Sequence, residues 1–219
     1  MELPEDLITI EGGYFDPATH AYYDHGGQWV PSVTQILSLC GMSDYSMVPH
    51  EVLERKRELG TRVHAHRAVI DKCGPECLRE VLEEDRPYLD AYLSFKSEHR
   101  FFPPPENVER PRIATVSGMK FGVTPDSYGP LDGVPAVLEA KCVEAPKASW
   151  KVQTALQEMA LTGHTWCGLM ERFALMLRSN GTYRLDHHFN RTLDGSLALA
   201  CLTVVWARLD SGEPVWEKV

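Results

Sequence analysis

Two carboxylates and a lysine stand close together in the middle of this chain. Asp126 follows Pro125, Glu139 comes thirteen positions later, and Lys141 two positions after that. Glu139 and Lys141 lie in the apolar run VPAVLEAKCV, which reads as a buried strand. Ionised groups in such a run are costly unless they bind something. Alternate residues of a strand share a face, so Ala136, Leu138, Ala140 and Cys142 point one way, and Val137, Glu139 and Lys141 the other. Glu139 and Lys141 then project together, about 7 Å apart by the strand rise. If 118–126 and 134–142 pair as a hairpin, Asp126 comes near Glu139. Two carboxylates with a lysine suit metal-assisted hydrolysis, and hard oxygen ligands select Mg²⁺ or Mn²⁺. A metal there would polarise a phosphoryl oxygen, lower the pKa of its water and screen the two anions. Lys141 can orient the attacking water or stabilise developing negative charge. The carbonyl of Ala140 can also reach the metal. A lone Glu-x-Lys pair is otherwise a surface salt bridge, but the apolar neighbours and the upstream Pro-Asp argue against that here.

The elements that must position these residues are readable from pattern. Residues 8–30 predict a β-hairpin, with turns at Asp16-Pro17 and Gly26-Gly27. Ser32 suits an N-cap before Ile36, Leu37 and Cys40. Residues 49–72 predict a helix with Pro49 in its first turn and a stripe of Val52, Leu59, Val63 and Val69-Ile70. Gly60 interrupts it at a cost of about 1 kcal/mol against alanine, and such a glycine often lets something approach closely. His64 lies four residues on, on the same face. Arg55, Lys56, Arg57, Arg62 and Arg67 make this the most basic helix, which either solvates a surface or faces a polyanion. Cys73 and Cys77 have no second Cys/His pair at zinc spacing and read as a loop. A second helix is expected over 76–99, stopped by FFPPPEN.

From residue 106 the pattern changes to strands: a hairpin with Gly118 near its turn, then the VPAVLEAKCV strand after a DGVP turn. A helix led in by Ala148 or Ser149 runs to Gly163. It carries Gln153 and Gln157 on one face, where their amides can contact a nucleic-acid backbone or hold the lysine; a solvated face is the plain alternative. Two strands flank Asn180-Gly181. The last helix spans 191–210, with Leu193, Leu197, Cys201 and Val204-Val205 expected to face the core. This predicts a mixed α/β (α+β) domain over 1–219, a mixed sheet with helices on its faces. Its parts are the hairpin, a helical part over 49–99, a catalytic sheet and helix over 106–188, and the C-terminal helix.

The totals fit that reading. A 219-residue chain with 43% hydrophobic and 24% charged residues suits one soluble domain. No apolar run reaches the ~20 residues of a membrane span. The acidic N-terminus lacks the pattern of a signal peptide. Six scattered cysteines point to free thiols in a reducing cytoplasm. The net charge of −9 counts against extensive non-specific phosphate binding, but not against a metal nuclease whose basic residues are local.

Pro125-Asp126, then Glu139-Ala140-Lys141, then a glutamine-bearing helix resembles the PD-(D/E)XK nuclease superfamily. HAYYDHGGQWVPSVTQIL resembles the N-terminal hairpin of phage-encoded exonucleases and of the mitochondrial genome maintenance exonuclease. ELGTRVHAH resembles the GT-x-x-H helix of RecB-like nucleases. The three motifs occur in the expected order over roughly residues 14–160. The resemblance implies a restriction-endonuclease-like mixed sheet flanked by helices. It implies that Asp126 and Glu139 ligate Mg²⁺ or Mn²⁺, as one or two ions, and that Lys141 assists the water. His64 matches the histidine of the metal site, Glu109 an upstream acid that contacts a metal directly or through water, and Gln153 the motif glutamine. Many RecB-like members carry tyrosine four residues after that glutamine, where this chain has Gln157. The iron–sulfur members need a cluster of three late cysteines; here only Cys167 and Cys201 lie late, so no cluster is expected.

The implied function is a metal-dependent exonuclease acting from DNA ends in recombination, repair or phage DNA metabolism. Arg62, Arg67, Lys147, Lys151 and Gln157 are expected to face the DNA, and a single-strand annealing or recombination protein is a candidate partner. The alternatives are a DNA-end-binding protein of the same fold and a nuclease acting on RNA.

Overall fold

The computed structural model describes residues 6–43 and 48–212; the outermost parts of the expected 1–219 domain, and the first residues of the acidic N-terminus, lie outside the described residues. The expected N-terminal hairpin is a four-stranded antiparallel meander. Its strands are β1 (Ile8–Ile10), β2 (Gly13–Asp16), β3 (Ala21–Asp24) and β4 (Trp29–Val30). Aspartates close two of its turns: Asp16 accepts from Ala18 N–H and the Thr19 hydroxyl, and Asp24 from Gly26 and Gln28 N–H. Such side-chain bonds give a short turn the partners that its backbone lacks. Helix α1 (Val33–Leu39) follows with a full capping box between Ser32 and Gln35.

Helix α2 (His50–Cys73) begins just after Pro49, which serves as its N-cap. Its buried stripe is Leu59, Val63, Arg67 and Ile70, while Val52 is exposed. A Cβ on Gly60 would meet nothing within 4 Å, so the close approach expected at that glycine is not there. The helix expected over 76–99 is shorter. It is α3 (Arg86–Glu98), preceded by a 3₁₀ turn at Pro75–Cys77 and by Glu80 with φ 49°. The reason is Pro87, which stands in the first turn of α3. Inside a longer helix it would remove a backbone donor and clash with the turn before it.

The strand region also differs from expectation. β5 (Arg112–Val116) and β6 (Met119–Val123) form their own two-stranded sheet around Ser117-Gly118. Glu11 bridges Arg112 and Ser32 bridges Gly122, which docks the N-terminal meander on this pair. At Gly122 a Cβ would run into the Tyr22 ring, so the docking itself demands glycine. The hairpin partner of 134–142 is not 118–126 but β7 (Ser127–Leu131). Thr124-Pro125-Asp126 ends the earlier pairing, since proline has no N–H for a ladder. β7 returns into β8 (Val134–Cys142) through Asp132 and Gly133, whose φ values of 51° and 89° suit the tight hairpin turn.

Helix α4 (Ser149–Thr162) ends at Gly163 with φ 70°, as its sequence predicts. It crosses to β9 (Glu171–Leu177), which runs parallel to β8, and β10 (Tyr183–His187) closes the sheet. The order is β10-β9-β8-β7, a mixed sheet. Helix α5 (Arg191–Asp210) has the predicted bounds. One face of the sheet packs through Ala136, Leu138, Ala140, Leu175 and Leu177 onto α2 and α3. On the other face Ala174 and Met176 meet Trp150 of α4. A second core joins α1, β6, α4 and α5. The molecule is therefore mixed α/β, with five α-helices and three sheets among the described residues.

The inner face of α5 is the expected one only in part: Cys201 and Val205 face inward as expected. Leu193, Leu197 and Val204 are exposed, and Asp194, Ala198, Cys201, Leu202 and Val205 are buried. The helix turns to bring Asp194 to Arg172, whose buried guanidinium it meets at 2.9 Å. Leaving a buried arginine unpaired costs more than exposing three aliphatic side chains. By length and composition α5 alone passes for a membrane span among the described residues, contrary to the sequence expectation; a third of that window is buried against the fold.

Candidate active site

Three elements converge on Asp126. It lies just ahead of β7, opposite the middle of β8, and its Oδ2 accepts the Ala140 N–H at 2.6 Å. That bond turns the other carboxylate oxygen toward α2, where His64 Nδ1 stands 3.2 Å from Asp126 Oδ1. Glu109 is held beside them by its own N–H, which donates to the Asp126 carbonyl at 3.1 Å. Its φ of 51° is unusual for a residue with a side chain. Such strain persists only where the surroundings fix it, and here it turns Glu109 toward His64, 3.5 Å from Nδ1. The ligand atoms of His64, Glu109 and Asp126 all lie within 4.8 Å of one another.

Behind this cluster sits Arg67, one turn along α2 from His64 and fully buried. It donates to Glu109 Oε1 and to Ser127 Oγ, each at 3.0 Å, and stands 3.8 Å from Asp126 Oδ2. Asp71 takes a weaker contact from it at 3.4 Å, and is itself held by the Tyr92 hydroxyl and by Lys96, both at 2.6 Å. The arginine therefore reaches no surface, and the expectation that it faces DNA is corrected. Burying a guanidinium is tolerable only with such a set of anions around it.

Glu139 faces α4, on the opposite side of the sheet from α2's packing face. Both its oxygens are occupied. Lys141 Nζ and Gln153 Nε2 donate to Oε1, and Gln157 Nε2 to Oε2, all at 2.6 Å. The i, i+4 spacing of the two glutamines thus clamps one carboxylate. Gln157 is buried, so its expected contact with DNA is also corrected: its amide orients Glu139. Arg62 is engaged with Asp85 at 3.0 Å and Glu84 at 2.6 Å, which ties it to the segment ahead of α3. Lys147 and Lys151 are exposed at the N-terminal end of α4.

The charges act on one another. Burial opposes ionisation of Asp126, but His64 and Arg67 beside it hold its carboxyl well below the usual carboxylate range. Burial and the nearby Asp126 charge push Glu139 up, against the pull of Lys141. Burial alone would lower the His64 imidazole; the Asp126 charge and the bonds to Asp126 and Glu109 outweigh it and raise it to about 9. The metal-free protein therefore carries an imidazolium here at neutral pH. Its stabilisation is fully present below the ordinary value of 6.5 and is lost as pH rises through about 9. Urea unfolding of wild type and His64→Gln, with EDTA present, measures it. The stability gap is expected to be widest near pH 6 and to close by pH 10; a gap independent of pH would contradict the pairing.

No protein-family model and no curated protein matches the sequence.

The site is thus defined by its own geometry. Of the residues singled out in the sequence, by spacing or, for Glu109, by the motif resemblance, His64, Glu109 and Asp126 form one cluster, and the Ala140 N–H ties it to β8. Glu139, Lys141, Gln153 and Gln157 form a second group beside it. Sequence reasoning misses Arg67's part, although the signal is there: Val63, Arg67 and Ile70 fall at i, i+4 and i+7, so the arginine lies on the apolar stripe. Ser127, Asp71, Tyr92 and Lys96, which support it, carry no local sequence signal. The cluster of one imidazole nitrogen and two carboxylates can hold a metal ion.

Proposed function

We propose that this protein is a Mg²⁺- or Mn²⁺-dependent deoxyribonuclease of the PD-(D/E)XK superfamily, hydrolysing phosphodiester bonds from DNA ends. The observation that carries the reading is the junction of the two groups at β8. A His64–Glu109–Asp126 donor cluster adjoins a carboxylate, Glu139, that is already paired with Lys141. The oxygen donors fit the ion class: carboxylates and a backbone carbonyl suit hard divalent cations, and the single imidazole favours Mn²⁺ over Mg²⁺. His64, Glu109, Asp126, Glu139 and the Ala140 carbonyl are the residues assigned to hold it. What such a cation supplies when bound is polarisation of a phosphoryl oxygen and a lower pKa for water.

The chain's own groups do the rest. Asp126 is held ionised by His64 and Arg67, so it enters the reaction charged. The two glutamines fix the plane of Glu139 before substrate arrives. Lys141 lies 2.6 Å from Glu139, beside the donor cluster, and its side chain is 24% exposed. There it orients the attacking water or neutralises charge developing on the phosphorus oxygens, a preorganised role that water could not fill. Lys147 and Lys151 present cations for the DNA backbone at the head of α4. The sheet order, with β8 and β9 parallel and helices on both faces, is compatible with a restriction-endonuclease-like core. A role in recombination or repair follows from the motif resemblance.

Parallel digestions of DNA and RNA test the reading. Linear DNA is expected to lose nucleotides from its ends, while closed circular DNA and RNA survive. Equal degradation of circles would make the enzyme an endonuclease, and preference for RNA would replace the substrate.

A further inference from the structure

Resting on that reading, we propose that Arg67 takes the place of a second metal ion, so that the site holds a single divalent cation. Arg67 is a permanent cation with no exposed surface. Its guanidinium bonds Glu109 and stands 3.8 Å from Asp126, the two carboxylates of the donor cluster. In two-ion sites the ions sit about 3.5–4 Å apart, so a second positive centre belongs close to the first. The space behind Glu109 and Asp126 is filled by the guanidinium, and it cannot be neutralised by losing a proton.

Charge balance agrees. Asp71 and Lys96, 2.6 Å apart, cancel. Glu109, Asp126 and Glu139 then carry three negative charges against the two positive charges of Arg67 and Lys141. With His64 neutral as a ligand, the site is one charge negative. One divalent ion and one phosphodiester bring it to zero. A second ion would leave two uncompensated positive charges beside a buried arginine, which is unfavourable where water is scarce.

The test counts Mn²⁺ bound to the full chain at pH 8 by following free Mn²⁺ in electron paramagnetic resonance. Only ions lost in Asp126→Asn are counted, which removes adventitious surface binding. Wild type is expected to hold one such ion per chain. Arg67→Lys keeps the positive charge and holds one; Arg67→Gln, where circular dichroism shows it folded, takes two. Two ions in wild type, or one in folded Arg67→Gln, would overturn the proposal. If Arg67→Gln does not fold, the counts for wild type and Arg67→Lys decide. The count does not depend on cleavage. One ion without hydrolysis leaves this inference standing and removes the nuclease reading; hydrolysis with two ions does the reverse, and no bound ion removes both.

Discussion

Lys141→Ala and Asp126→Asn are each expected to slow metal-dependent nucleotide release from linear DNA by roughly 10³-fold, the size of effect seen when one preorganised charge or donor is removed from a reacting centre. The two substitutions act differently. Asp126→Asn keeps an oxygen that accepts the Ala140 N–H, so the β7–β8 junction survives; what is lost is the negative charge facing His64 and Arg67. Metal affinity therefore falls together with rate. Lys141 sits beside Glu139, outside the His64–Glu109–Asp126 cluster, so Lys141→Ala is expected to retain metal binding while losing the chemical step. Its half-saturating Mn²⁺ concentration stays within a few-fold of wild type. Rate and Mn²⁺ titrations on purified, folded protein check both. Unchanged turnover in Lys141→Ala would remove the lysine from the mechanism.

The largest effect on stability is expected at Glu158, one residue beyond Gln157. This buried carboxylate accepts three consecutive backbone N–H groups, from Gly168, Leu169 and Met170, at 2.6, 2.8 and 3.0 Å. Its other oxygen lies 3.3 Å from Arg172 Nε. Arg172 in turn donates to the carbonyls of Lys151 and His188, both at 3.0 Å, and to Asp194. One buried network thus joins α4, β9, the segment after β10 and α5. Glu158→Ala strands three amides and takes from Arg172 one of the two carboxylates beside it. The expected cost is about 3–5 kcal/mol, the range for breaking one side of a buried ion pair. For a chain of this size that lowers Tm by roughly 10 °C. Glu158→Gln keeps an acceptor for the amides and is expected to cost less. Urea and thermal unfolding of both variants measure this; a loss under about 1 kcal/mol in Glu158→Ala would mean that the loop re-pairs its amides with water.

What is legible without the structure is whatever a local pattern encodes. The alternation in VPAVLEAKCV places Glu139 and Lys141 on one face of β8, and Gly163 marks the end of α4. The i, i+4 spacing of Gln153 and Gln157 is legible, but their shared target is not, because a helix face becomes interior only once a sheet covers it. β7 escapes notice since SYGPL carries a glycine and a proline, which locally read as breakers; its pairing is dictated by the turn at Asp132-Gly133. Arg67 reads as surface by its charge alone. Its burial depends on Asp71, Glu109 and Asp126, of which the last two are remote in sequence and only the fold assembles them. The facing of α5 is right at Cys201 and Val205 and wrong at Leu193, Leu197 and Val204 for the same reason: Asp194 is drawn inward by Arg172, a partner on another element.

The central claim is metal-dependent hydrolysis at the His64–Glu109–Asp126–Glu139–Lys141 site. Its most direct measurement is release of acid-soluble nucleotides from linear DNA, single- and double-stranded, by the purified full chain with Mg²⁺, with Mn²⁺, and with EDTA. The predicted result is release with either ion and none with EDTA. Linear DNA of both forms left intact at every metal concentration by folded protein would contradict it.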